Sequence, residues 1–270
     1  MAAANELVLV LTKHHGLGND FLIVLDPPPG TDLPATARVV CDRHRGIGAD
    51  GLIAAFRTGT DIGGADARMV LHNADGSRAE MSGNGIRCLA QAMVDAGWSD
   101  EARPIAIVTD AGDHVAEVGP DNGNGERSVR VSMGPAKVVR SEGDLAVVDV
   151  GNPHLVLRVD DPAAVDLEAM GSEHADSNVE VIRVDDRSNI TMRVYERGVG
   201  ITQACGTGSC AAAAAAFAWG LTDARMVVHN PGGPLTVEIE SGDHAWLTGP
   251  TTFVGKIEVE IEIEVEVDDR

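Results

Sequence analysis

The chain has 270 residues, with 42 Asp and Glu against 21 Lys and Arg, for a formal charge of −21. A surface this acidic repels phosphate backbones and anionic membranes, which excludes nucleic acid as a partner. Hydrophobic residues make up 44% of the chain although aromatics reach only 3%, enough aliphatic material for a core, so wholesale disorder is excluded too.

In chain order, the apolar run at 7–11 has no basic flank before it and no small-residue cleavage site after it. It is far too short to span a bilayer, so the expectation is a soluble, cytoplasmic protein with reduced thiols. Short β-branched runs predict strands at 7–11, 21–25, 67–72, 105–109, 128–133, 146–150, 155–159 and 191–195. Two apolar segments, 85–96 and 208–219, predict the long helices, and each opens directly after a glycine-rich turn. The Pro, Asn and Gly content of 119–126 marks a connector. It divides the chain into a lobe of 1–122, completed by 251–270, and a lobe of 123–250. At 257–267 strict alternation sets Glu258, Glu260, Glu262, Glu264 and Glu266 on one face, with Val and Ile on the other. That pattern predicts a half-buried strand whose carboxylates discourage edge-to-edge pairing.

An internal repeat is the most informative feature. RMVLHN at 68–73 aligns with TMRVYE at 191–196, and NDFLIV at 19–24 with NPHLVL at 152–157. Downstream, Ser82-Gly83-Asn84-Gly85 matches Cys205-Gly206-Thr207-Gly208, and each tetrad leads into one of the long helices. Two equivalent halves would leave a cleft with the tetrads facing each other across it. Each tetrad has the makings of an anion site, since glycines admit close approach and a helix N-terminus favours negative charge. Ser82 reads equally as an ordinary N-cap. Cysteine is not a favoured cap, and a helix N-terminus lowers a thiol toward thiolate, so Cys205 reads as functional. Cys88 and Cys210, inside the helices, read as small core residues, and Cys41 has no partner nearby in sequence. The four cysteines suit neither a disulfide framework nor a zinc site. No dinucleotide fingerprint, phosphate-binding loop or pyridoxal-type lysine is present, which leaves proton chemistry carried by side chains.

Taken together, KHHGLGNDF (13–21), CDRHRGIGADG (41–51), NADGSRAEM (73–81), GNPH (151–154), ERGVG (196–200), ACGTG (204–208) and LTGP (247–250) resemble diaminopimelate epimerases, end to end and in order. The resemblance implies an α+β fold of two pseudo-symmetric, barrel-like β-rich domains, each wrapped around a central helix, with the active site in the cleft between them. It implies a cofactor-free, metal-free epimerisation of LL-diaminopimelate to the meso isomer in lysine and peptidoglycan precursor synthesis, by a homodimer. In the family two cysteines flank the substrate's α-carbon, one removing the proton as thiolate and the other delivering one as thiol. By position Cys205 matches one of them. Asn19, Asn73, Asn152, Asn178, Glu196 and Arg197 match substrate-binding positions, and Gly83, Asn84, Gly206 and Thr207 match the groups that grip the reacting carboxylate. His154 and Glu196 match residues that tune or orient the thiols.

The departure is Ser82, which stands where the second catalytic cysteine belongs. A serine hydroxyl is un-ionised at neutral pH and cannot serve as a resting base, so epimerisation is expected to be impaired. Three origins fit: a Cys→Ser alteration that traps substrate, favoured because the binding positions are intact; a natural low-activity variant; or a drift to one-base chemistry. The alternatives in function are an enzyme resembling hydroxyproline epimerases or dehydratases, and a non-catalytic amino-acid-binding protein.

Overall fold

Strands separated by glycine turns close here around the two apolar helices. The computed structural model describes residues 4–58 and 64–264. The first half runs β1 (Ala4–Gly16), β2 (Asn19–Leu25), α1 (Leu33–Val40), β3 (Gly51–Arg57), β4 (Ala67–Asn73), β5 (Arg78–Ala79), α2 (Gly83–Asp95), β6 (Ile105–Thr109), β7 (Gly112–Val118) and β8 (Glu126–Pro135). The second half continues with β9 (Lys137–Glu142), β10 (Leu145–Asp149), β11 (Pro153–Arg158), α3 (Leu167–Glu173), β12 (Asn178–Asp186), β13 (Asn189–Glu196) and β14 (Gly200–Thr202). It ends with α4 (Gly206–Ala218), β15 (Arg225–Asn230), β16 (Gly233–Ile239) and the long β17 (His244–Glu264).

Hydrogen bonding closes the ring β17–β1–β2–β3–β4–β6–β7–β8 back onto β17, an eight-stranded barrel around α2. A second ring, β9–β10–β11–β12–β13–β15–β16–β17–β8, surrounds α4, and β8 passes into β9 through Ala136. Parallel pairs fall at matching places, β2–β3 and β4–β6 in the first ring, β11–β12 and β13–β15 in the second. The sequence repeat is therefore a structural one: β2 answers to β11, β4 to β13 and α2 to α4. The fold is α+β, two β-rich barrels each built on a central helix, as the resemblance implies.

Both helices are buried inside their barrels, α4 through alanine on every face and α2 with Arg87 and Gln91 buried among its apolar residues. From Ala211 to Ala216 every α4 side chain is at most 4% exposed, and alanine on all faces lets the barrel wall close in. Each helix begins two residues earlier than its hydrophobic run suggests, at Gly83 and Gly206, because Ser82 and Cys205 are the caps. β17 belongs to both rings. Its first part pairs with β16 and β8, and from Thr252 onward it pairs antiparallel with β1. There Glu258 and Glu260 are exposed while Ile257 and Val259 are half-buried, as alternation predicts. The side chains from residue 261 on, including the rest of the glutamate row, lie outside the described residues. Among the described residues no helix is long and apolar enough to cross a membrane.

Candidate active site

Ser82 and Cys205 hold matching places at the starts of α2 and α4. Both are extended, with φ/ψ of −143°/124° and −121°/123°. Ser82 Oγ accepts the Gly85 N–H at 3.1 Å, and Cys205 Sγ accepts the Gly208 N–H at 3.3 Å. Their carbonyls accept the next N–H groups, from Ile86 and Ser209. The amides of Gly83, Asn84, Gly206 and Thr207 are left with no acceptor among the described residues. The two helix ends abut. A Cβ added to Gly83 would lie 3.5 Å from Gly206 Cα, and one added to Gly206 would lie 3.3 Å from Gly83 Cα. Four free amides and the positive ends of two helix dipoles thus face one another, an arrangement suited to a carboxylate.

The second half surrounds Cys205 with acid. Cys205 is 5% exposed, with Thr207 Oγ1 3.4 Å from its sulfur. Glu180 on β12 is fully buried, its Oε1 2.7 Å from His154 Nδ1, and Asn152 Oδ1 lies 2.9 Å from His154 Nε2. Glu196, at the end of β13, accepts from Thr202 Oγ1 at 2.5 Å, and its charge acts on the Cys205 thiol. Burial, then the charges of Glu196 and Glu180, push the Cys205 thiol well above its ordinary range, against the donations from Thr207 and Gly208. Burial also raises the Glu196 carboxyl. Cys205 therefore rests as a thiol. The shift runs against the lowering that a helix N-terminus by itself gives a thiol.

Most of the other candidates join this centre. Asn84 donates to Asn19 Oδ1 at 3.0 Å and reaches the Ala204 carbonyl at 3.4 Å, bridging the halves, and Asn19 in turn donates to Asp50 Oδ2 at 2.7 Å. Asn178 accepts the Arg197 amide at 2.9 Å and donates to the Pro153 carbonyl at 3.3 Å. The Arg197 side chain is exposed, with one contact to the Asp176 carbonyl at 3.4 Å. Asn73 stands apart from these contacts: it is exposed at the end of β4 and donates to Ser77 Oγ at 3.0 Å. Cys41, Cys88 and Cys210 are buried and free, each pushed up to about 12 chiefly by burial, in keeping with core positions. Sequence reading missed Glu180 and Arg87. The signal for each was one charged residue inside an apolar element, Val179-Glu180-Val181 and Ile86-Arg87-Cys88.

The model of the diaminopimelate epimerase family matches residues 11–139 and 146–254. A diaminopimelate epimerase of a Nostoc species is 38% identical, over 93% of this chain and all of that one. One from Desulfitobacterium hafniense is also 38% identical, over 91% of this chain and 96% of its own. Two solved structures share the fold. A phenazine biosynthesis protein from Bacillus anthracis superposes with a TM-score of 0.70 at 17% identity, covering 94% of this chain and 100% of its own. A hydroxyproline epimerase from Agrobacterium vitis gives 0.67 at 16% identity, covering 94% and 93%.

Proposed function

The chain belongs to the diaminopimelate epimerase family and is an amino-acid epimerase; on that premise we propose that it interconverts LL- and meso-diaminopimelate in lysine biosynthesis, without a cofactor and slowed by Ser82. The observation that carries this reading is the pair of abutting helix N-termini, capped by Ser82 on one side and Cys205 on the other. A substrate α-carboxylate placed there accepts from the free amides of Gly83, Asn84, Gly206 and Thr207. Those donors draw electron density from the α-carbon and so acidify its proton. Cys205, held as a thiol, delivers a proton to one face. When the reaction runs the other way it must pass its own proton on, and the nearby Glu196 carboxylate, whose charge already acts on the thiol, is the acceptor at hand. On the opposite face Ser82 offers a hydroxyl whose only hydrogen bond among the described residues is the capping contact to Gly85. Nothing there draws its proton away, so that half of the transfer is the slow one. Asn19, Asn73, Asn152, Asn178, Glu196 and Arg197 hold the remainder of the substrate, and His154 orients the Cys205 side through Glu180. The lobe division at 122/123, the homodimer and the cytoplasmic setting belong to the same proposal.

Incubation with LL-diaminopimelate in heavy water, followed by NMR, tests it. The unaltered chain should bind the substrate and isomerise it slowly, and Ser82→Cys should gain about 100-fold or more in rate. An unaltered chain that already turns over as fast as Ser82→Cys would refute the impairment. Absence of binding by both would refute the substrate.

A further inference from the structure

Arg87, one turn into α2, is 0% exposed. Its Nη2 donates to Asn84 Oδ1 at 2.8 Å and its Nη1 reaches the Gly83 carbonyl at 3.4 Å, while Nε has no partner. Among the described residues no carboxylate lies within 4.0 Å of it. Burial lowers the guanidinium to about 10, so it stays charged at neutral pH. By contrast Arg127, also well covered, is paired with both Asp95 and Glu101. The space around the Arg87 fork is made by glycines of two strands. A Cβ on Gly16 would come within 2.9 Å of Nη2, and one on Gly249 within 3.2 Å of Cζ and Nη2.

The repeat shows that this cation is a deliberate break in symmetry. When the two tetrads are superimposed, Arg87 answers to Cys210 on α4. Conversely, a Cβ on Gly85 would meet Ile53 at 3.1 Å where one on Gly208 meets Glu180 at 2.6 Å. One half buries a carboxylate where the other has isoleucine, and the other buries a guanidinium where the first has a thiol. Glu180 has His154 beside it; Arg87 has no counter-ion. A buried, unpaired charge is expensive, and its nearest polar neighbours are the Gly83 carbonyl and the Asn84 side chain, at the helix end that faces the carboxylate site.

We propose that Arg87 is a positioning residue whose missing counter-ion is the substrate's α-carboxylate: it fixes the Asn84 amide and supplies the positive charge behind the helix N-termini. This rests on the reading of the site as a carboxylate cradle for diaminopimelate. The test pairs Arg87→Met with Arg87→Lys. Without ligand, Arg87→Met should melt at or above the temperature of the unaltered chain, because an uncompensated buried charge has been removed. Its Kd for LL-diaminopimelate, by calorimetry, should rise at least about tenfold, with Arg87→Lys intermediate because it keeps the charge without the fork. An Arg87→Met chain that fails to fold or melts well below the parent overturns the proposal, since the cation would then serve the apo fold. Unchanged affinity in a folded Arg87→Met chain overturns it as well. If the unaltered chain does not bind diaminopimelate, the substrate reading falls by itself, and the melting comparison still decides whether Arg87 is structural.

Discussion

At Cys205 two effects of opposite sign meet. A helix N-terminus stabilises an adjacent anion by about 0.3–1 kcal/mol, and up to about 2 kcal/mol when partly buried. Full burial shifts an ionisable group by as much as about 3–5 pKa units, at about 1.4 kcal/mol each, and two nearby carboxylates add to that. Burial wins, and the thiol keeps its proton. The spacing of the Cys205 tetrad revealed the helix end because capping is local in sequence. It could not reveal the burial, nor Glu180, which arrives from a strand more than twenty residues away and adds to the upward shift after burial and Glu196. A second buried base behaves as simply. His14 on β1 is 0% exposed and packed edge-on against Phe253, and burial lowers it from 6.5 to about 4. Between those values the unfolded chain binds the proton that the folded chain refuses. Stability is therefore complete above about pH 6.5 and is lost as pH falls toward 4. Urea denaturation should show His14 contributing about 2 kcal/mol of the loss between pH 7.5 and pH 5. His14→Phe, which keeps the aromatic contact, should lose that much less over the same interval. Parallel curves for the two proteins would assign the acid sensitivity elsewhere.

At the scale of elements, the two helix ends approach because Gly83 and Gly206 lack side chains. A Cβ on Gly206 would sit 3.0 Å from Leu247 Cδ2 and 3.3 Å from Gly83 Cα. The leucine end can swing aside, but the facing backbone cannot. Gly206→Ala should cost about 1–3 kcal/mol of stability and lower affinity for LL-diaminopimelate more than about tenfold, by parting the two sets of amides. A variant that loses stability but binds as before would show that the abutment is not needed for binding. The two helices and the strand at 105–109 stand where alternation and apolar content put them, whereas β7, β15 and β16 were not foreseen although their burial alternates. β3 and β12 were not foreseen either. Both lie parallel to a neighbour and have five consecutive buried residues, Gly51 to Ala55 and Asn178 to Ile182. A strand covered on both faces loses the alternation by which a strand is recognised.

For the molecule as a whole, the charge of −21 is a surface property with a measurable consequence. Ion pairs such as Arg43–Asp50 and Arg103–Asp66 use up cations at the surface, and the remaining excess is negative. Net repulsion destabilises a compact state, and salt screens it. Raising monovalent salt from about 10 mM to about 1 M shortens the Debye length from about 30 Å to about 3 Å, and the melting temperature should rise with it. A fall would mean that the surface ion pairs outweigh the repulsion. The shared strand β17 matters at this scale as well. Because it pairs with β16 and β8 and then with β1, the two barrels cannot be separated without breaking one continuous ladder. That continuity supports the register in which the two helix ends meet.

The sequence by itself determined the repeat, the two capped helices, the placement of Ser82 and Cys205 at equivalent termini, and the family. All of these are written in local spacing, and spacing survives in one dimension. Only the tertiary structure decided that the termini touch, that Cys205 is a thiol hemmed in by Glu196 and Glu180, and that Arg87 is buried without a counter-ion. Charge states and close approach depend on what residues distant in the chain remove from water or bring near, and no local pattern carries that information.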